Sequence, residues 1–208
     1  MSGPAGTEVA AFREAVERCS PEYGLALGPD VVDRFAAHYE LLVGWNRRLN
    51  LTRITAPDEA ARRHFLESAF LTTLVEEPAE LVDVGSGAGF PGLPLACVWG
   101  AARATLVEPN AKRCVFLKEA VRATGVGGVR VVEGRFAPEM VPEGALLVSR
   151  ALEGFEGLLG ELIGSRAGTV ALFAERGLLE RGLEMREGRI VALPASDRRM
   201  VGVFHVER

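Results

Sequence analysis

The sequence has few cysteines and no long apolar run. Its three cysteines, Cys19, Cys97 and Cys114, form no Cys-x-x-Cys pair. They indicate reduced thiols, and we expect neither a disulfide framework nor a metal site. No stretch approaches the roughly 20 apolar residues that a membrane-spanning helix needs. The first residues also lack the basic and apolar regions of a secretion signal. We therefore expect a soluble, cytoplasmic protein without a membrane partner.

An excess of positive charge is also missing. The 24 Lys and Arg residues are outnumbered by 28 Asp and Glu residues, which gives a formal net charge of −4. This balance argues against a protein that coats nucleic acid through a broad basic face, although it permits a local basic patch. Aromatic residues are sparse, at 7%, whereas 24 glycines predict several glycine-dependent turns. The 208 residues suit one ordinary domain and leave room for a small appendage.

The apolar pattern changes at about Pro78. Before it, apolar residues from Val31 to Val43 fall on one helical stripe behind Pro29-Asp30, and a second helix is predicted from Pro57 toward Val75. Beyond it, short apolar runs alternate with helical stretches, as in a doubly wound α/β sheet. Predicted strands begin at Leu81, Ala104, Val129, Leu146 and Val170, with a late pair at Arg189 and Met200. We predict a helical extension over residues 1–77 and an α/β domain over residues 78–208.

A glycine-rich loop follows the first predicted strand. Gly85-Ser86-Gly87-Ala88-Gly89 precedes a helix predicted to begin at Pro91. Glycines permit a sharp turn and let a ligand approach the backbone, while a helix start offers free N–H groups. Glu108, which ends the second strand, is placed to accept both hydroxyls of a ribose. The segment from Gly87 to Gly92 also satisfies GxGxxG, so the spacing serves two cofactor classes, dinucleotides and S-adenosylmethionine.

Four segments together resemble one known family. Residues 83–95, DVGSGAGFPGLPL, resemble the signature of the bacterial ribosomal RNA small-subunit methyltransferase G family, also called glucose-inhibited division protein B. The other three segments agree in order and spacing. They are Trp45-Asn46 with Asn50-Leu51-Thr52, the run Arg63-His64-Phe65-Leu66-Glu67-Ser68 in which Glu67 replaces the usual aspartate, and Lys112-Arg113 with Phe116-Leu117. The resemblance covers roughly residues 25 to 205 and is far more specific than a lone glycine loop.

The resemblance implies a class I S-adenosylmethionine-dependent methyltransferase. Its fold would be a Rossmann-like doubly wound sheet, mostly parallel with an antiparallel late strand. The cofactor would be S-adenosylmethionine, the acceptor guanine N7 in 16S ribosomal RNA, and the partner the small ribosomal subunit, with the enzyme acting as a monomer. The implied cofactor-binding residues are Asp83, Gly85, Ser86, Gly87, Gly89, Phe90, Glu108, Phe136, Ala137 and Arg150.

Arginines and asparagines carry the implied contacts with RNA. Guanine N7 has an available lone pair, so catalysis would rest on in-line alignment and exclusion of water, with Arg150 and Arg135 orienting the base. The residues implied for RNA binding are Asn46, Arg47, Asn50, His64, Arg135, Arg176 and Arg198. Structural interpretations stay open beside these, because helix arginines are often solvated, asparagines often cap a helix, and His64 could be satisfied by packing.

Several positions depart from the family pattern. Ala137 replaces an acidic residue, Gly144-Ala145 stands where the fourth strand usually opens with aspartate, and Glu175 precedes Arg176 where the family has lysine-glycine. Residues 197–201, DRRMV, resemble the family's ERHLV, which makes Arg198 the equivalent arginine. These departures bear on RNA affinity more than on cofactor binding.

Other functions share parts of this pattern. A small-molecule methyltransferase would need the loop but not the asparagine and histidine segments. A dinucleotide-dependent oxidoreductase fits the spacing, yet the remaining chain offers no substrate domain. A non-catalytic RNA-binding module would not need the cofactor loop, and a glycine turn without any ligand is the simplest alternative.

Overall fold

Prolines open the helices of the N-terminal part. The computed structural model describes residues 4–100, 103–150, 155–196 and 198–205. Helices α1 (Pro4–Cys19), α2 (Pro29–Leu49) and α3 (Pro57–Ala60) each begin at a proline, which suits the first turn because that turn needs no N–H donor. A 3₁₀ turn, Ser20–Tyr23, follows α1. The predicted helical character of the first 75 residues is confirmed for the described part.

Helix α2 is longer than the sequence pattern suggested. The predicted stripe is buried at Val31, Val32, Phe35, Tyr39 and Leu42. The predicted stripe ended at Val43, but residues 45–49 continue α2 to its end at Leu49. Asn50 then ends the helix with a left-handed backbone, φ 47°. The polar side chains of this segment hid its helical character.

The second predicted helix is a chain of short helical segments. A π-helical stretch, Ala61–Leu66, follows α3, and then come α4 (Glu67–Ala69) and a 3₁₀ turn, Phe70–Thr73. The wider π turn carries Arg63 and His64. Single π turns of this kind occur often at functional sites. The helical course ends at Thr73, just short of the expected Val75.

Seven strands form one sheet in the order β3-β2-β1-β4-β5-β7-β6. The strands are β1 (Glu80–Val84), β2 (Arg103–Glu108), β3 (Val129–Glu133), β4 (Leu146–Arg150), β5 (Thr169–Ala174), β6 (Gly188–Ala192) and β7 (Met200–His205). β1 to β5 pair in parallel, and β7 runs antiparallel between β5 and β6. The predicted α/β class, with its antiparallel late strand, is confirmed.

Helices cover both faces of this sheet. They are α5 (Gly92–Trp99), α6 (Ala111–Thr124), α7 (Phe155–Ile163) and α8 (Arg176–Met185), with a 3₁₀ turn at Pro138–Met140. One apolar cluster joins the N-terminal helices, α5 and α6 to the sheet, with Phe12 and Phe65 fully buried in it. A second cluster lies under α7 and α8. α5 was expected to begin at Pro91, but it begins one residue later, at Gly92, with Pro91 as its N-cap.

The topology defines where a ligand can bind. The carboxyl ends of parallel strands meet at one edge of a sheet, and ligands bind where the strand order reverses. Here that place is the crevice between β1 and β4. Among the helices of the described ranges, none is long and apolar enough to cross a membrane.

Candidate cofactor site

The glycine loop at the end of β1 is held against β2. The backbone N–H groups of Gly85 and Ser86 both donate to Val107 O, at 2.9 and 3.1 Å. Gly85, Gly87 and Gly89 have positive φ angles of 73°, 55° and 92°. Residues other than glycine rarely adopt such backbone angles. The Ser86 hydroxyl donates to Asp83 O at 3.1 Å. The loop is therefore a fixed cradle of backbone groups, and Ser86 serves its internal structure.

Asp83 lies buried beneath the loop. Its Oδ2 accepts a hydrogen bond from Gly92 N at 3.1 Å, while its Oδ1 is buried and has no hydrogen-bond partner in the part of the chain that the structure describes. Burial raises the pKa of Asp83 to about 7. A Cβ added to Gly92 would stand 2.6 Å from Asp83 Cβ, so only glycine fits there. Asp83 thus fixes the start of α5 through its hydrogen bond to Gly92 N.

Glu108 closes the other side of the loop. It is buried, and its Oε2 accepts from Gly87 N while its Oε1 accepts from Asn110 N, both at 2.9 Å. Asn110 in turn caps α6, because its Oδ1 accepts from Lys112 N and Arg113 N. Each carboxylate oxygen of Glu108 retains a free lone pair. A carboxylate at the end of β2, facing a glycine loop, fits the two hydroxyls of a nucleoside ribose.

The segment after β3 begins beside Glu108. Gly134 N donates to Glu108 O at 3.1 Å. Phe136 and Ala137 follow, both half-buried, and Phe136 packs against the second apolar cluster. Arg135 is exposed. The predicted adenine-flanking pair therefore lies on the same sheet edge as Glu108, with a flat apolar ring that suits a base.

Arg150 is the last residue of β4 and lies inside the protein. Its Nη2 donates to Glu67 Oε2 at 2.7 Å and to Arg63 O at 2.6 Å. Its guanidinium carbon stands 5.7 Å from the centre of the Phe173 ring, within the range of a cation–π contact. Burial lowers the pKa of Arg150, and the Glu67 carboxylate opposes that shift. The helical segment and the fourth strand are thus joined at the site by a buried ion pair.

Two histidines enclose the ring of Phe90. His38 stacks on Phe90 with 4.9 Å between ring centroids, and His64 stacks at 4.7 Å. His38 Nε2 donates to Ala88 O at 2.8 Å. Burial lowers the pKa of His38 to about 4 and that of His64 to about 3. Both rings are therefore neutral near pH 7, and they tie the N-terminal helices to the glycine loop.

The asparagine and threonine of the resembling segments bind each other. Asn46 Nδ2 donates to Thr52 O at 2.9 Å, and Asn46 Oδ1 accepts from Thr52 N at 2.8 Å. Thr52 Oγ1 lies 2.8 Å from His64 Nε2. The side chain of Asn46 thus holds the loop after α2, and Thr52 connects that loop to the His64–Phe90 stack.

The other predicted RNA-binding residues lie on the surface. Arg47 and Asn50 are exposed at the end of α2, and Asn50 caps that helix with its backbone N–H. Arg176 is exposed at the start of α8, 3.7 Å from Glu180. Arg198 is exposed as well. Within the described residues, the contacts of Arg150 are instead with Arg63, Glu67 and Phe173. Asp197, which belongs to the resembling segment of residues 197–201, lies outside the described residues.

The sequence did not reveal the roles of three residues at the site. His38 was given no role, Glu67 was noted only as a substitution, and Arg199 was passed over in favour of Arg198. Arg199 Nε donates to Glu67 Oε1 at 2.6 Å. A histidine within the apolar stripe of α2 was the available signal for His38. For Arg199 the available signal was the segment of residues 197–201, in which Arg199 replaces the histidine of the family pattern.

Comparison with known proteins agrees with this geometry. Residues 32–167 match the family described as rRNA small subunit methyltransferase G. The chain is 38% identical over 149 residues to "Ribosomal RNA small subunit methyltransferase G" of Anaeromyxobacter sp. (strain Fw109-5), a match that covers 68% of this chain and 67% of that protein. The protein of the same name from Myxococcus xanthus is 39% identical over 132 residues, covering 62% and 61%.

Solved structures share the fold at low sequence identity. A SAM-dependent methyltransferase from Aquifex aeolicus superposes with a TM-score of 0.56 and 15% identity, covering 71% of this chain and 93% of that one. This likeness establishes the class I methyltransferase fold. The matched segment spans two thirds or less of the length of several relatives, 61% for the Myxococcus protein and 48% for one from Thermoanaerobacter sp..

Proposed function

The chain belongs to the rRNA small subunit methyltransferase G family, and on that basis we propose that it methylates guanine N7 in 16S ribosomal RNA, with S-adenosylmethionine as donor. The observation that carries this proposal is Glu108, whose buried carboxylate faces the glycine loop of a class I methyltransferase fold. A dinucleotide site would share the loop but not the family's other three segments.

The residues at the sheet edge fit this cofactor. When bound, S-adenosylmethionine supplies an electrophilic methyl group. Glu108 would accept from the ribose hydroxyls, and Phe136 and Ala137 would flank the adenine. The backbone of Gly85, Ser86, Gly87, Gly89 and Phe90 would hold the methionyl part, with the carboxyl group of Asp83 buried below it. The polar atoms and open backbone that these groups need are present.

Catalysis needs no strong base in this proposal. Guanine N7 attacks through its own lone pair, so the protein has to align it with the methyl group and exclude water. His38 and His64 are neutral, buried and engaged in the Phe90 stack, which favours a positioning role over proton transfer. Arg150 would lie beside the target nucleotide, and Arg135 would help to orient it from the surface.

The RNA would meet the face that carries the helical extension. Residues 1–77 would form a lid or contact surface next to the domain of residues 78–208. Arg47, Arg176 and Arg198 are exposed and suit phosphate contacts. Asn46, Asn50 and His64 also stay predicted RNA contacts, although the hydrogen bonds of Asn46 and His64 within the chain favour indirect action through the Thr52 loop. The enzyme would act as a monomer in the cytoplasm, where small ribosomal subunits are assembled.

Methyl transfer to ribosomal particles tests the proposal. Small subunits from a strain that lacks the modification should accept one labelled methyl group each, and large subunits should accept none. S-adenosylhomocysteine should raise the melting temperature of the protein and NADH should not. The negative net charge leads us to expect that protein-free RNA is the poorer substrate. Stabilisation by NADH alone, without methyl transfer, would favour the oxidoreductase alternative.

A further inference from the structure

A fully buried carboxylate lies between two arginines at the edge of the site. Glu67 has no exposed side-chain surface, whereas the side chains of Arg150 and Arg199 are 15% and 34% exposed. Glu67 Oε2 is 2.7 Å from Arg150 Nη2, and Glu67 Oε1 is 2.6 Å from Arg199 Nε. Each carboxylate oxygen therefore binds a different guanidinium, and the three side chains, here called the Glu67 cluster, form one unit.

The Glu67 cluster carries a surplus of positive charge. One carboxylate neutralises one of the two guanidiniums, so the formal charge that remains is positive. In addition, among the described residues, Arg150 Nη1 is buried without a hydrogen-bond partner, and so is Nε of the neighbouring Arg63. A buried donor without a partner loses the hydrogen bonds that water would give it, which is unfavourable. Two such donors on cationic groups indicate a place where an anionic ligand would be accepted.

The cluster stands beside the glycine loop. Arg150 ends β4, where the hydroxyl of Ser149 donates to Val84 O at 2.7 Å and joins β4 to the end of β1. The positive charge of Arg150 also contributes to lowering the pKa of His64, which stacks on Phe90 of the loop. Arg199 is anchored by its backbone, because its N–H donates to Ser196 Oγ at 3.0 Å. The unit thus faces the place where substrate meets cofactor.

We propose that Glu67 is a positioning residue that holds Arg150 and Arg199 as an anion site for a phosphate of the RNA next to the target nucleotide. This inference rests on the proposed function and deepens it. Planar guanidiniums bind phosphate oxygens in a fixed geometry. The base itself is the poorer ligand, since a guanine gains positive charge as its N7 is methylated and a nearby cation opposes that gain.

The proposal also explains which late arginine serves the site. Arg199, at the rim of the cluster, reaches solvent and is held by a buried carboxylate, whereas Arg198 is exposed. Arg199 would therefore contact the RNA phosphate with defined geometry. Glu67 would act through both arginines without touching the RNA.

The test is the salt dependence of methyl transfer to small ribosomal subunits. Each phosphate contact makes the slope of log affinity against log salt concentration more negative by about 0.7–0.9. Arg199→Gln should lower the slope of log KM by about that amount and raise KM about tenfold, with kcat and the Kd for S-adenosylhomocysteine unchanged within about twofold. Arg199→Lys should restore most of the slope, because it keeps the charge. A merely structural role would not move the slope.

The matched control is Arg103→Gln. Arg103 also forms an ion pair, with Glu80 at 2.6 Å, but at the amino end of β2, away from the site, so its slope should equal that of the wild type. Glu67→Gln should reproduce the higher KM. If Glu67→Gln does not fold, the Arg199 variants test the proposal alone. Arg199 lies at the partly exposed rim of the cluster, so its replacement should not prevent folding.

Two results would overturn the inference. One is an unchanged salt slope in Arg199→Gln. The other is a loss of S-adenosylhomocysteine affinity in that variant with an unchanged KM for subunits, which would assign the anion site to the carboxylate of the cofactor. Absence of methyl transfer by the wild type would instead refute the proposed function, so the two failures are distinguishable.

Discussion

The imidazole of His64 lies flat on the ring of Phe90, with 4.7 Å between the ring centroids and 16° between the planes. His64 belongs to the π turn of the helical part, and Phe90 belongs to the glycine loop. His38 of α2 also stacks on Phe90. The shape of the cofactor loop therefore depends on the N-terminal helices, and the two parts of the chain form one functional unit.

His64 should make the protein sensitive to acid. Its pKa falls from 6.5 to about 3 on folding because the ring is buried, so below pH 6.5 the unfolded chain takes up a proton that the folded protein does not, and stability falls as the pH falls. When the pH falls from 7.5 to 5.5, the free energy of unfolding of His64→Gln should rise by about 1 kcal/mol relative to that of the wild type. Urea unfolding at the two pH values measures this. A constant difference would mean that His64 is not neutral in the fold.

Asp83 should show the opposite dependence on pH. Burial raises its pKa from 3.8 to about 7, so the stability associated with its protonated form is lost as the pH rises from about 4 through 7. Asp83→Asn keeps an oxygen for Gly92 N and has no charge. From pH 5.5 to pH 8, its free energy of unfolding should rise relative to the wild type by about 1–2 kcal/mol. Parallel pH profiles of the two proteins would contradict the assigned pKa.

The close contact between Gly92 and Asp83 should leave no room for a side chain at position 92. In Gly92→Ala the new Cβ would meet Asp83 Cβ and Oδ2 at 2.6 Å and Leu106 Cδ2 at 2.7 Å. We expect a loss of about 1–3 kcal/mol in the free energy of unfolding. Gly127→Ala is the control, because nothing lies within 4 Å of its added Cβ, and it should change stability by about 0.5 kcal/mol or less. Equal losses in chemical denaturation would show that the close contact is not what matters.

Glu108 should control cofactor affinity. An amide oxygen and an NH₂ group cannot both accept from Gly87 N and Asn110 N, so Glu108→Gln loses one of these bonds as well as the charge that suits the ribose. We expect S-adenosylhomocysteine to bind about 10–100-fold more weakly by calorimetry. The control is Glu119→Gln, which removes a carboxylate bonded to Trp45 on the face between α2 and α6. The affinity of Glu119→Gln for S-adenosylhomocysteine should match that of the wild type. Equally weakened binding in both variants would contradict a specific role of Glu108 in cofactor binding.

The positions of the strands followed from local pattern. Leu81 to Val84 is a buried apolar run that stops at glycine, and the structure places it at the centre of the sheet. Such runs are predictable because a strand covered on both faces must be apolar along its length. The end of α2 was not predictable in this way, since Asn46, Arg47 and Arg48 are polar and helix ends depend on capping by Asn50.

The contacts of the site depended on residues far apart in the chain. The glycine loop and Glu108 are separated by about 20 residues and were identified from their spacing. Glu67 and Arg199 are 132 residues apart, and no periodicity relates them. The role of the Asn46 side chain could not be predicted either. Both of its hydrogen bonds are to the backbone of Thr52, so they depend on the path of the loop after α2.

The position of the transferred methyl group tests the central claim most directly. Small subunits that lack the modification should be incubated with the enzyme and S-adenosylmethionine, and their RNA digested and analysed by mass spectrometry. We predict a gain of one N7-methylguanosine per 16S ribosomal RNA, and none with Glu108→Gln at a cofactor concentration well below its Kd. A methyl group on a ribose or on another base atom, or no gain at all, would contradict the account.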